Sequence, residues 1–207
     1  MSGTRAAGDF GAWLAEIDPA LRGDGVTDVP CEACTACCTS SQFIHVGPDE
    51  TDTLAHIPPV LLFPAPGRPS GHLVMGYDDR GWCPMLSESG CTIYDHRPQT
   101  CRSYDCRVFA AAGVVPDAAE SARIADRTRE WAFAVSDDES SDDRAHLGAI
   151  RAAARFLRDH AEDFPPNVRP ANVTGLAVVA IEIRGLFLER VPTTEAVGAA
   201  LAERTSS

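Results

Sequence analysis

Four of the chain's eight cysteines fall within eight positions, in the run CEACTACCTS: Cys31, Cys34, Cys37 and Cys38. The other four, Cys83, Cys91, Cys101 and Cys106, follow by residue 106, and residues 107–207 contain none. Thiolates are ligands for zinc and for iron–sulfur clusters. A thiolate every third residue, as in Cys31-x2-Cys34-x2-Cys37, lets a loop wrap one side of a cluster. It matches the first three ligands of the bacterial ferredoxin-type run, whose further cysteine precedes a proline as Cys83 precedes Pro84. Zinc would be satisfied by a pair such as Cys31/Cys34 with two later thiolates. The third evenly spaced cysteine tilts the choice towards an iron–sulfur cluster, with zinc or iron ions as the other cofactor reading.

Cys38 fits neither scheme alone. Consecutive side chains diverge in helix and strand, so Cys37 and Cys38 are not expected to share one ion. The vicinal pair implies two adjacent centres, or one centre and a reactive thiol. Eight thiolates would complete two four-coordinate sites.

The second block, GWCPMLSESGCTIYDHRPQTCRSYDCRVF (residues 81–109), interleaves its cysteines with Arg97, Arg102 and Arg107. Guanidiniums there could offset the charge of a thiolate site and donate to sulfur. Cys101 and Cys106 would lie about 140° apart on one helix, so a loop or helix end is expected. Tyr94, His96, Arg97, Arg102 and Tyr104 are candidates to support the cluster from behind or to contact a substrate. His45, His56, His72 and His96 lie in the same half. Each reads as a surface or hydrogen-bonding histidine, and His96, inside the motif, is the best candidate ligand among them. Asp95 and Asp105 read as turn or capping residues.

The pattern C-x2-C-x2-C-C, then C-P-x-L, then C-x-I-Y-x-x-R-P-x-x-C-R-x-Y-x-C resembles the YkgJ-like cysteine-cluster family (CxxCxxCC), described as a zinc- or iron-chelating domain. It runs over about residues 31–107 and takes in all eight cysteines. The resemblance implies metal binding. Flagellin lysine N-methylases share a similar cysteine cluster, which suggests a redox or methyl-transfer association for some relatives. A redox role would require a small-molecule or protein redox partner.

Composition sets the frame. The chain has 207 residues, a net charge of −12, and eighteen basic residues that are all arginine. Such an acidic balance argues against nucleic-acid or anionic-membrane partners. The absence of lysine removes Schiff-base and P-loop lysine chemistry. The N-terminus lacks an apolar signal segment, and the most apolar stretch, residues 176–188, is short and holds Glu182 and Arg184. A cytoplasmic location is expected, where thiols serve metal or redox chemistry before disulfides.

The positioning elements follow from periodicity. The expected fold class is mainly α, with a loop-rich cysteine region (residues 1–112) packed on a C-terminal bundle of three or four helices (residues 113–207). Residues 118–135 predict a helix with Ile124, Trp131, Ala132 and Val135 on its apolar stripe. After the polar run SDDESSDD, residues 144–160 repeat the pattern. Asn172 predicts the cap of a third helix over 173–190, with a buried strand as the competing reading, and a closing helix starts at Thr193 or Thr194. In the first half, GAWLAEIDPAL and PDETDTLAHI read as short helices, HLVMGYDD as a strand entering a turn, and the five-proline stretch 57–72 as an ordered loop.

Overall fold

The computed structural model describes residues 3–22, 24–25, 27, 29, 34–116, 121–136, 138 and 142–205. Cys31 and most of the acidic run 137–141 lie outside the described residues.

The helices form where apolar spacing and caps coincide. Strand β1 (Arg5–Asp9) leads into α1 (Phe10–Leu21), whose N-cap Asp9 accepts from the Ala12 amide. Phe10, Trp13, Leu14 and Ile17 are its buried face, the i, i+3, i+4, i+7 stripe of an amphipathic helix. Helix α6 (Asp143–Asp159) buries Ala149, Ile150, Ala153, Ala154 and Leu157, and α7 (Val173–Glu182) buries Ala177, Val179, Ala180 and Ile181. Alanines on both facing surfaces let the two helices approach closely, and α6 packs on α7 and on α4 (Arg107–Ala112). Removing one filler such as Leu157 to alanine would cost about 2–5 kcal/mol. The Asn172 side chain accepts from the Gly175 amide, so the β-branched segment is capped as a helix. It ends in a 3-10 turn at Arg184–Phe187. The closing helix α8 (Thr194–Thr205) buries Val197 and Leu201.

One expected helix is divided. Of the span 118–135, whose first three residues lie outside those described, Ala122–Glu130 form α5 and Trp131–Ala134 form strand β7, which pairs in parallel with β1. Arg5 faces Trp131 and Asp9 faces Ala134, with a bulge between Ala6 and Gly8. Phe133 packs against Phe10 and Trp13, ring centroids 5.5 and 4.7 Å away. A strand partner some 120 residues earlier in the chain is invisible to local periodicity, and aromatic WAFA suits a strand once that partner exists.

The N-terminal half also holds more strand than expected. β2 (Ile44–Val46), β3 (Leu62–Pro64) and β4 (Leu73–Met75) form an antiparallel sheet in the order β2-β4-β3. The proline-rich stretch thus supplies an edge strand, where a missing N–H is tolerated. Helix α2 (Thr51–His56) lies between β2 and β3 in sequence. A two-residue-strand hairpin, β5 (Leu86–Ser87) with β6 (Gly90–Cys91), turns through Gly90 at φ 112°. Helix α3 (Gln99–Ser103) and then α4 complete this half.

Two apolar cores result. The larger joins α1, α4, α5, α6, α7, α8 and β7, and the smaller gathers Val46, Ile57, Met75, Met85 and Ile93. Among the described residues no helix is long and apolar enough to cross a membrane.

Candidate metal centre

The described cysteines lie at the seam between these cores. Cys106 belongs to the larger core, and Cys34 and Cys37 pack against it, while Cys83 and Cys91 pack against the smaller one. Local structure holds each in place. Cys37 and Cys38 start a 3-10 turn (Cys37–Thr39), tied at its end by the Ser40 hydroxyl donating to the Ala36 carbonyl. The Cys83 amide donates to the Cys38 carbonyl across 2.7 Å, which clamps the vicinal pair to the Cys-Pro segment. Cys91 ends β6, Cys101 sits in the middle of α3, and Cys106 is the N-cap residue of α4. The expected helix end thus holds Cys106, whereas Cys101 is helical. The chain leaves the helical region at Tyr104 (ψ 110°), so the two cysteines stand on separate helices and can face one space.

All seven described cysteines line one cavity of about 400 Å³. Its apolar wall includes Ile44, Met75, Ile93, Ile124 and Trp131. The thiols have different neighbours within it. Burial pushes the Cys101 thiol up to about 12, and the nearby Cys38, Cys83 and Cys91 thiols push the same way, against Arg97. Burial first, and then Cys91, also raises Cys83. Tyr104 is raised by burial and then by Cys37 and Cys106. Cys38, Cys83 and Cys91 therefore all lie near Cys101, while Cys37 and Cys106 both lie near Tyr104. Among the described residues no three thiol sulfurs lie within 4.8 Å of one another.

The remaining candidates divide. Tyr94, Arg97 and Tyr104 line the cavity. The Arg97 guanidinium stacks 3.6 Å from the Tyr94 ring centre, and its Nε is buried without a hydrogen-bond partner. Arg102 is exposed and acts electrostatically on Asp52, outside the cavity lining. His96 also turns away, donating from Nδ1 to Asp52 at 2.7 Å. The other histidines stand outside the cavity lining, His45 and His72 hydrogen-bonded to each other at 2.9 Å.

Asp105 caps as expected and does more. Its carboxylate accepts from the Arg107 amide at 2.9 Å, at the start of α4, and, fully buried, also takes the Arg107 guanidinium at 2.7 Å and the Trp13 indole N–H at 2.9 Å. Arg107 also donates to the Ala7 carbonyl. This network fastens the Cys101–Cys106 segment to α1 and β1, so Arg107 serves a buried ion pair there.

Trp131, read as helix core, is core but on a strand, and it also donates its indole N–H to Cys106 Sγ at 3.1 Å. Local periodicity carried no signal of this, because the residue reaches the site only through the pairing of β7 with β1.

No curated protein and no solved structure matches the chain. Residues 30–126 match the family model CxxCxxCC, described as a "putative zinc- or iron-chelating domain". The matched segment takes in all eight cysteines and ends before β7. Over that segment, just under half of its length, the chain is similar to the zinc- or iron-chelating cysteine domains.

Proposed function

We propose that the chain holds two cysteine-ligated iron–sulfur centres side by side, of the [4Fe–4S] kind, and acts as a redox protein in a reducing compartment such as the cytoplasm. One set comprises Cys38, Cys83, Cys91 and Cys101. The other comprises Cys34, Cys37 and Cys106, with Cys31 as its fourth member by count. The observation that carries the reading is the convergence of seven thiols on one cavity, with vicinal Cys37 and Cys38 among different neighbours.

The donor set fits such a group. A tetrahedral Zn–S4 site with bonds near 2.3 Å brings its sulfurs within ~3.8 Å of one another. Here no described trio of thiols falls within 4.8 Å. A cuboidal cluster, with one thiolate on each of four irons, accepts a wider spread. When bound, a cluster of this kind supplies one-electron transfer at a potential set by charge, solvent exposure and hydrogen bonds to sulfur.

The chain's residues would shape that environment. Trp131 donates to the Cys106 sulfur, which stabilises the thiolate. Arg97 brings positive charge beside Cys101. Ile44, Met75, Ile93 and Ile124 exclude water from the wall. Burial favours the neutral thiols of Cys83 and Cys101, so metal loading must release protons.

Anaerobic purification followed by iron, zinc and acid-labile sulfide analysis tests the reading. About eight irons and eight sulfides per chain are expected for two four-iron clusters. A colourless protein with stoichiometric zinc and no sulfide would sink it, and would support a structural zinc role instead.

A further inference from the structure

We propose that Phe43, Phe63 and Tyr77 form the docking surface for a basic electron-carrier protein, at the opening of the cysteine cavity. The carrier role of that partner rests on the redox reading above. The three rings touch, with Phe43 6.3 Å from Phe63 and 5.1 Å from Tyr77 between ring centroids. Each nevertheless stays open to solvent, at 61%, 40% and 43% exposure for Phe43, Phe63 and Tyr77. Single exposed apolar side chains are ordinary, whereas aromatic rings clustered in water mark an interaction site.

Strand alternation explains why they face outwards. Ile44, Leu62 and Met75 lie abreast on β2, β3 and β4 and turn to the smaller core. Phe43 precedes Ile44 and Phe63 follows Leu62, so both are sent to the other face of the sheet. Gly76, next after Met75, keeps that face open between them. A β-carbon there would meet the Phe63 ring at 3.5 Å and the Phe43 ring at 3.8 Å.

Position and charge select the occupant. Phe43 also lines the cysteine cavity, as do the exposed Glu88 and Tyr94, so the aromatic face runs up to the cavity's opening. Residues 41–96, which carry the face, hold seven acidic residues against two arginines, and one of these, Arg80, is paired with Asp78. Asp79 stands exposed two residues beyond Tyr77. An aromatic centre with an acidic surround suits a partner whose apolar patch is rimmed by basic residues. A second copy of this chain is disfavoured, since each copy carries a net charge of −12. In the complex one electron passes between the bound centre and the partner's own redox group. The donor is oxidised and the acceptor reduced, with no bond made or broken.

Ferric cytochrome c, a basic one-electron carrier, is the probe. Calorimetric titration into the full-length protein at low ionic strength should show a complex that weakens as salt rises. Phe63→Ser and Tyr77→Ser leave the charge unchanged and lie outside the cavity lining, and each should weaken binding about tenfold. Val191→Ser, at an exposed apolar residue of the C-terminal half, should leave it unchanged. Iron and sulfide, measured in the same samples, should stay at the wild-type level in all three variants. No binding, or binding indifferent to both ring substitutions, overturns the proposal. Self-association of the protein alone that Phe63→Ser abolishes also overturns it, in favour of a second copy. Binding through the rings by a protein that holds no iron or sulfide would leave the docking surface standing and sink the redox reading.

Discussion

The Trp131 indole N–H meets the Sγ of Cys106 across 3.1 Å, joining a strand outside the matched family segment to the last cysteine within it. The contact depends on β7 lying beside β1, so the C-terminal half helps to build the cysteine cavity as well as the core.

Trp131→Phe keeps the aromatic wall and removes the donor. Partners that hydrogen-bond to ligating atoms are typically worth 10–100-fold in metal affinity. Chelator-driven metal release should quicken about tenfold, while the urea midpoint moves little. An unchanged release rate would count against any role of this bond in holding metal.

The vicinal pair offers a genetic test of two centres. Cys37→Ser and Cys38→Ser should each remove about half of the bound iron, by the division of eight thiolates into two four-coordinate sets. Adding Cys106→Ser to Cys37→Ser should remove no more, whereas adding Cys101→Ser should empty both sites. Equal losses from the two double variants would argue for a single shared centre.

Asp105 and Arg107 form a buried pair, with side chains 0% and 5% exposed. Asp105→Ala strands the guanidinium and the Trp13 N–H, at a cost of about 3–5 kcal/mol. The midpoint of urea unfolding should fall accordingly. A loss below about 1 kcal/mol would show that water reaches the pair.

Alkaline pH should weaken the metal-free chain. The folded Cys101 thiol sits at about 12, against an ordinary value of 9.0. Between these values the unfolded chain has released a proton that the native chain keeps, so stability falls as pH rises. Cys83 and Tyr104 are raised too and act in the same direction. With no lysine in the chain, this window belongs largely to thiols and tyrosines. Urea midpoints of chelator-stripped protein should be level at pH 7–8 and decline from about pH 9 towards 12. A midpoint that is flat to pH 11 would contradict it.

The sequence by itself determined the likeness to a zinc- or iron-chelating domain and the cysteine pattern, because ligand spacing within a short segment is a local property. It also determined α1, α6 and α8, and the Asn172 cap of α7, through apolar period and capping residues. Which thiols are neighbours was left to the tertiary structure. Cys38 is brought to Cys83 by a backbone hydrogen bond between residues 45 positions apart, and Cys101 to both by the packing of α3 against β2. The same holds for Trp131, buried in the core as expected, whose indole N–H a distant strand partner brings to sulfur. It holds also for Asp105, whose turn bond to Arg107 is local but whose carboxylate is reached by Trp13 from 92 positions earlier. In each case the deciding contact is non-local. Residue type and period set the local options, and burial against a remote segment selects among them.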